Sequence, residues 1–127
     1  MQRAAPYFLV PDVFATAEYY RDALGFAFEQ FWGEPPRFVM LRRGDVTLML
    51  RSAVELGADV ARPNHARVRH SFDAYVWVAD VDALHAELAQ RGARILYAPC
   101  TQPHDCREFE VEDPNGYRIC FGQDLLA

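Results

Sequence analysis

Three cysteines and four histidines are the residues of this chain best suited to do chemistry, and His104-Asp105-Cys106 is their densest grouping. In an extended segment residues two apart share a face, so His104 would set a base beside the Cys106 thiol, the pairing that activates a sulfur nucleophile. The competing reading is a polar loop ahead of a strand, because a reactive thiolate also needs an electropositive, partly exposed setting. His65 and His70 with Asp73 could gather a metal, but they lie in or beside an irregular stretch, where histidines more often face solvent. His85 falls one residue beyond an apolar helical stripe, a position that borders a core. Cys100, Cys106 and Cys120 are odd in number and follow no metal-finger spacing, which fits reduced thiols in the cytoplasm.

The bulk properties narrow the field. At 127 residues, 51% hydrophobic and 24% charged, the chain is one domain able to bury a core without disulfides. A formal charge of −5 argues against a nucleic-acid surface and leans toward a cationic ligand. The N-terminal stretch holds no apolar run long enough for a signal peptide or a membrane span, because Pro6, Pro11 and Asp12 interrupt it.

The elements that must position these groups are organised around Arg107 to Gln123. Arg107 to Glu112 alternates, with Phe109 and Val111 on one side and charged residues on the other. Asp113-Pro114-Asn115-Gly116 stacks four turn formers, and Tyr117 to Gln123 returns with Tyr117, Ile119 and Phe121 on one face and Arg118 and Cys120 on the other. Upstream, Ala4 to Val10 reads as a strand. Asp12 caps a helix whose face is Val13, Ala17, Tyr20 and Leu24, and Gly25 stops it. Phe26 to Trp32, Phe38 to Arg43 and Val46 to Arg51 follow as strands. After an irregular connection from Ser52 to Ser71 the order recurs: strand Phe72 to Val78, a helix capped by Asp80 with Val81, Leu84 and Leu88 inward and stopped by Gly92, then strand Ala93 to Ala98 and the closing hairpin. Leu9 to Ala15 and Trp77 to Ala83 share Val, Asp, Val and Ala at matching places. The expected fold is α+β, a single domain over 1–127 of two βαβββ modules, about 4–52 and 72–123, linked by 53–71.

Val10-Pro11-Asp12-Val13 through Tyr19-Tyr20-Arg21-Asp22-Ala23-Leu24-Gly25-Phe26, together with Asp113-Pro114-Asn115-Gly116, resembles the glyoxalase, bleomycin-resistance and extradiol-dioxygenase superfamily. That resemblance implies paired modules forming a cup-shaped mixed sheet. Gly44-Asp45-Val46-Thr47-Leu48, Tyr75-Val76-Trp77-Val78 and Arg107-Glu108-Phe109 look most like the bleomycin-resistance branch, whose members hold the drug in grooves of a domain-swapped dimer without chemistry. Enzymes of the superfamily bind a divalent metal through the first strand, the end of the first module, the fifth strand and the last strand. Those positions fall here on Ala5, near Thr47 or Met49, on Asp73 and on Cys120. Ala5 has no donor, and a catalytic divalent site wants at least three donors of matched hardness. The resemblance therefore implies no metal and no cofactor.

By the same carry-over, strand parity turns Tyr7, Thr47, Met49, Asp73, Tyr75, Trp77, Arg118 and Cys120 into the cup. Such a lining suits a flat organic ligand; the competing reading is that the rings are packed core. Phe31, Trp32 and Phe38 flank the Gly33 to Pro36 turn, where the drug-binding relatives keep aromatics that stack on planar rings. Those relatives typically carry a Trp two residues ahead of Arg-Glu-Phe, and here that position is Asp105. The expected function is sequestration of a small aromatic or cationic molecule, a drug or a metabolite, by a homodimer, with no nucleic-acid or membrane partner. The aromatic turn of one subunit would lie near Tyr75, Trp77 and the Cys106 to Glu110 strand of the other. The alternatives are a lyase, isomerase or dioxygenase with a metal at a displaced site, and a cysteine-dependent enzyme without metal.

Overall fold

The computed structural model describes residues 1–53, 55 and 60–127, which form two compact units, Met1–Arg62 and Pro63–Ala127. The stretch between Ser52 and Val60 expected as part of the connection lies largely outside the described residues.

In the first unit, β1 (Tyr7–Val10) leads into α1 (Val13–Leu24), then β2 (Phe31–Trp32), β3 (Phe38–Arg43) and β4 (Val46–Ser52). The sheet order is β1-β4-β3-β2, with β1 and β4 parallel and the other pairs antiparallel. Asp12 Oδ1 accepts the Ala15 N–H at 3.0 Å, and Gly25 ends α1 at φ 73°, the left-handed conformation that a Cβ disfavours. Val13, Ala17, Tyr20 and Leu24 of α1 are buried, as are Phe8, Val10, Val39, Leu41, Leu48 and Leu50 of the sheet that it covers.

The strand expected over Phe26 to Trp32 is instead only Phe31–Trp32 plus a single bridge from Ala27 to Arg42. The reason lies in the helix end. The Phe26 N–H is held by the Tyr20 carbonyl at 3.0 Å and its ring packs edge-on to Tyr20, so it serves the C-terminus of α1. Phe28 and Phe31 then meet ring to ring at 5.1 Å, a pairing that regular alternation forbids for residues three apart.

The second unit repeats the order: β5 (Ala74–Trp77), α2 (Val81–Gln90), β6 (Arg94–Thr101), β7 (Cys106–Glu112) and β8 (Arg118–Asp124), with sheet order β5-β8-β7-β6. Asp80 Oδ1 accepts the Ala83 N–H at 3.0 Å, the counterpart of the Asp12 cap. Gly92 follows the helix at φ 86°. Buried Val81 and Leu88 of α2 cover a sheet face made of Ala74, Val76, Phe109, Val111, Ile119 and Phe121. In the closing turn Asp113 Oδ1 accepts the N–H groups of both Asn115 and Tyr117, at 2.8 and 3.0 Å, and Gly116 takes φ 89°. His65 Nε2 donates to the Gly116 carbonyl at 2.8 Å and ties the preceding segment to this turn. The fold is α+β, two helices each on a four-stranded mixed sheet. Among the described residues no helix is long and apolar enough to cross a membrane.

Candidate functional site

Each sheet has a second face, opposite its helix, and there the two units differ. In the first unit that face carries rings and thioethers at its middle, with Arg42 and Arg51 at the same parity toward its ends. Tyr7 pairs with Met49 and Met49 with Met40 across the strands, while the Phe38 ring lies 6.2 Å from Tyr7 and 5.8 Å from Trp32. Thr47 is buried on the same face, opposite Arg42. Tyr7 and Trp32 remain 52% and 44% exposed, which leaves ring faces open to a partner molecule.

In the second unit that face is polar and largely buried. Glu108, Glu110 and Glu112 of β7 stand in line, opposite Gly122, Cys120 and Arg118 of β8 respectively. All three carboxylates are buried, and like charges in a row on one strand persist only when each is answered. Tyr75 Oη donates to Glu108 Oε2 at 2.7 Å, and His104 Nε2 reaches the same oxygen at 2.9 Å. Tyr97 Oη donates to Glu110 Oε2 at 2.6 Å. Glu112 is met by Arg118 at 3.0 Å and by Arg94 at 3.3 Å. Every carboxylate has its own counter-group.

Two local features make these contacts reachable. A Cβ on Gly122 would collide with the Tyr75 hydroxyl, so the glycine is what lets Tyr75 of β5 cross β8 to reach Glu108. The register of β6 on β7 shifts on both sides of Tyr97, and such irregularities re-aim a side chain, here toward Glu110. Burial, then the hydrogen bond to Glu108, raises the Tyr75 hydroxyl above its ordinary 10.0; burial and Glu110 do the same for Tyr97. Both remain neutral donors. Burial and the charges of Glu108 and Glu110 likewise push the Cys120 thiol up from 9.0, so it stays protonated and is no nucleophile.

The remaining residues read from the sequence have distinct places. The Tyr75 and Trp77 rings meet tilted, centroids 4.7 Å apart, and Tyr75 is registered against Cys120. Asp73 spends both oxygens on main-chain amides, Oδ1 on Asn64 at 2.8 Å and Oδ2 on Arg118 at 2.9 Å, and so ties β5 to its neighbours. It does not converge with His65 and His70. His85 meets Phe109 edge-on at 5.2 Å, at the border of the core. A cavity of about 450 Å³ lies within this unit, lined by His70, Phe72, Tyr97, Glu108, Glu110 and Arg118 among others. The glutamate row, Tyr97 and Phe72 are what sequence reasoning missed as a lining. The available signal was three glutamates of one parity on a strand whose other parity is core, read there only as a charged outer side.

The sequence profile of the Glyoxalase/Bleomycin resistance protein/Dioxygenase superfamily matches residues 4–121. The chain belongs to that superfamily. Among solved structures, the superfamily's fold is seen at full length in a bleomycin resistance determinant encoded on the transposon Tn5, with TM-score 0.75, 22% identity and 98% of each chain covered. A bleomycin-binding protein from bleomycin-producing Streptomyces verticillus, solved with copper(II)-bleomycin, is 30% identical over 93% of this chain and 92% of that one, with TM-score 0.67. A lactoylglutathione lyase from Agrobacterium tumefaciens is similar in fold at TM-score 0.69, with 19% identity and 98% and 94% coverage. No curated protein matches.

The superfamily's enzymes raise the question of a metal, and the residues here do not fit one at the expected positions. Ala5 offers no donor, both Asp73 oxygens are engaged by amides, and the Cys120 thiol is fully buried. A divalent cation needs a convergent set of free donors.

Proposed function

We propose that this protein binds and sequesters a small organic cation bearing a flat aromatic part, a drug or metabolite, and holds it without chemistry and with no metal in the binding step. The observation that carries the reading is the buried Glu108-Glu110 pair, topped by the neutral hydroxyls of Tyr75 and Tyr97, on a cavity of about 450 Å³. Glu110, with Tyr97 as its donor, and Glu108, whose two donors Tyr75 and His104 share one oxygen, keep acceptor capacity for an ammonium or amidine group. In the homodimer reading, the Trp32 and Phe38 rings of one subunit supply the stacking surface for the planar part of a ligand held by the other. Similarity to a bleomycin-binding protein at 30% identity supports the same class of ligand.

The reading extends to a cytoplasmic homodimer with grooves between subunits. It is supported by three free thiols and by the exposed Tyr7, Trp32 and Trp77. Sedimentation at micromolar concentration would report a dimer, and a stable monomer would remove that part of the proposal.

The test is calorimetric titration with bleomycin and with a panel of cationic aromatic antibiotics, set against neutral and anionic analogues. Cationic members should bind, and Glu110→Gln should weaken them about 10- to 100-fold, the worth of a charge-assisted hydrogen bond. Equal binding of neutral analogues, or no effect of Glu110→Gln, would sink the proposal.

A further inference from the structure

The donor atoms of His104, Cys106 and Glu108 all lie within 4.8 Å of one another, the only such convergence of His, Cys and carboxylate donors among the described residues. We propose that these three residues form a binding site for a borderline divalent cation of the zinc class, on a strand the superfamily does not use for its metal.

The donor set is one imidazole nitrogen, one thiolate sulfur and one carboxylate oxygen, which selects zinc-like ions over magnesium or calcium. Donors around a tetrahedral zinc stand about 3.3–3.8 Å apart, so side-chain rotation is enough to close the set from its present spacing. Local backbone builds the convergence. Cys106 and Glu108 share a face of β7, and the preceding turn, with Asp105 at φ 62°, brings His104 back over them. In the ion-free arrangement a carboxylate can only accept, so His104 Nε2–H donates to Glu108 Oε2 at 2.9 Å. A proton bridges the two atoms that a cation would bridge in its place.

The supporting contacts are also those of a metal site. Tyr75 Oη donates to the same Glu108 oxygen at 2.7 Å, orienting the carboxylate from outside as ligand-supporting groups do. Cys106 and Glu108 are buried while His104 is exposed, so an ion has an entry side and a dry inner side. On binding, the Cys106 thiol gives its proton to solvent and His104 binds as the neutral ring. Three protein donors leave the fourth tetrahedral position to water.

This site shares Glu108 with the ligand-binding reading, but its test needs no organic ligand, so the two can fail separately. Reduced, metal-stripped protein is titrated with Co²⁺, followed by the near-ultraviolet sulfur-to-cobalt charge-transfer band, with Zn²⁺ competing it away. The expected result is saturation at one equivalent, with the band absent in Cys106→Ser and retained in Cys100→Ser and Cys120→Ser. His104→Ala, an exposed change that spares the fold, should weaken Zn²⁺ about 100-fold, and Tyr75→Phe about 10-fold, since outer partners alone are worth about 10- to 100-fold. A correctly folded His104→Ala that binds Zn²⁺ as tightly as the parent overturns the assignment. So does a band that survives Cys106→Ser, or the absence of any band in the parent.

Discussion

The sheets β1-β4-β3-β2 and β5-β8-β7-β6 have the same strand order, the same parallel outer pair and the same aspartate-capped helix, yet their helix-free faces differ in chemistry. One gathers rings and thioethers, Tyr7, Trp32, Phe38, Met40 and Met49, and its only charges among the described residues, Arg42 and Arg51, are both basic. The other is a row of buried carboxylates, each tied to a tyrosine, a histidine or an arginine. The buried residues of the strands under each helix, Val39, Leu41, Leu48 and Leu50 in one unit and Val76, Phe109, Val111 and Ile119 in the other, are apolar and carry the fold. The alternate residues are free of that duty. A strand's period of two lets one set of positions hold a topology while the other is rewritten for binding.

That division predicts where mutations will hurt. Phe109→Ala on the helix-facing side of the second unit should cost about 3–5 kcal/mol, and Leu48→Ala in the first about 2–5 kcal/mol, both read by denaturant unfolding. A mild loss at Phe109 would break the claim that this parity carries the fold in both units. Gly122→Ala should cost about 1–3 kcal/mol, because its methyl overpacks against Tyr75. Adding Tyr75→Ala should return most of that loss, and strict additivity of the two changes would refute the crossing of Tyr75 over Gly122 as the cause.

Trp32→Ala should leave stability nearly unchanged and cost about 0.5–1.5 kcal/mol of affinity for a planar ligand, less than Glu110→Gln costs. The reverse ranking would put recognition chiefly on the aromatic face. The smallest effect is alkaline. The folded-state value of Tyr97 lies above the unfolded 10.0, so its contribution to stability is complete below about pH 10 and is lost as pH rises through the folded value. Urea unfolding from pH 9 to 11 should show this decline, and Tyr97→Phe should make it shallower, with Tyr75 and Cys120 supplying the rest; an unchanged slope would mean the Tyr97–Glu110 contact does not hold the proton.

Much of the architecture was legible in the sequence because its determinants are local. Asp12 and Asp80 cap helices through amides three residues on, Asp113 to Gly116 closes a turn within itself, and Phe109, Val111, Ile119 and Phe121 alternate onto one face. The same alternation put Tyr75, Trp77, Arg118 and Cys120 on the other. The strand over Phe26 to Trp32 misled because Phe26 answers to the end of α1, a demand that strand periodicity does not register. The glutamate row was written in the chain too, but whether a polar side of a strand meets water or protein depends on its neighbours. β7 became an interior strand between β8 and β6, Tyr75 reached it over Gly122 and Tyr97 through an irregular register. Those contacts join residues 33 and 13 positions apart. Residue type and period determined which faces exist. Only tertiary pairing decided which charges were buried, since the cost of burying a carboxylate is offset by partners that the local sequence does not contain.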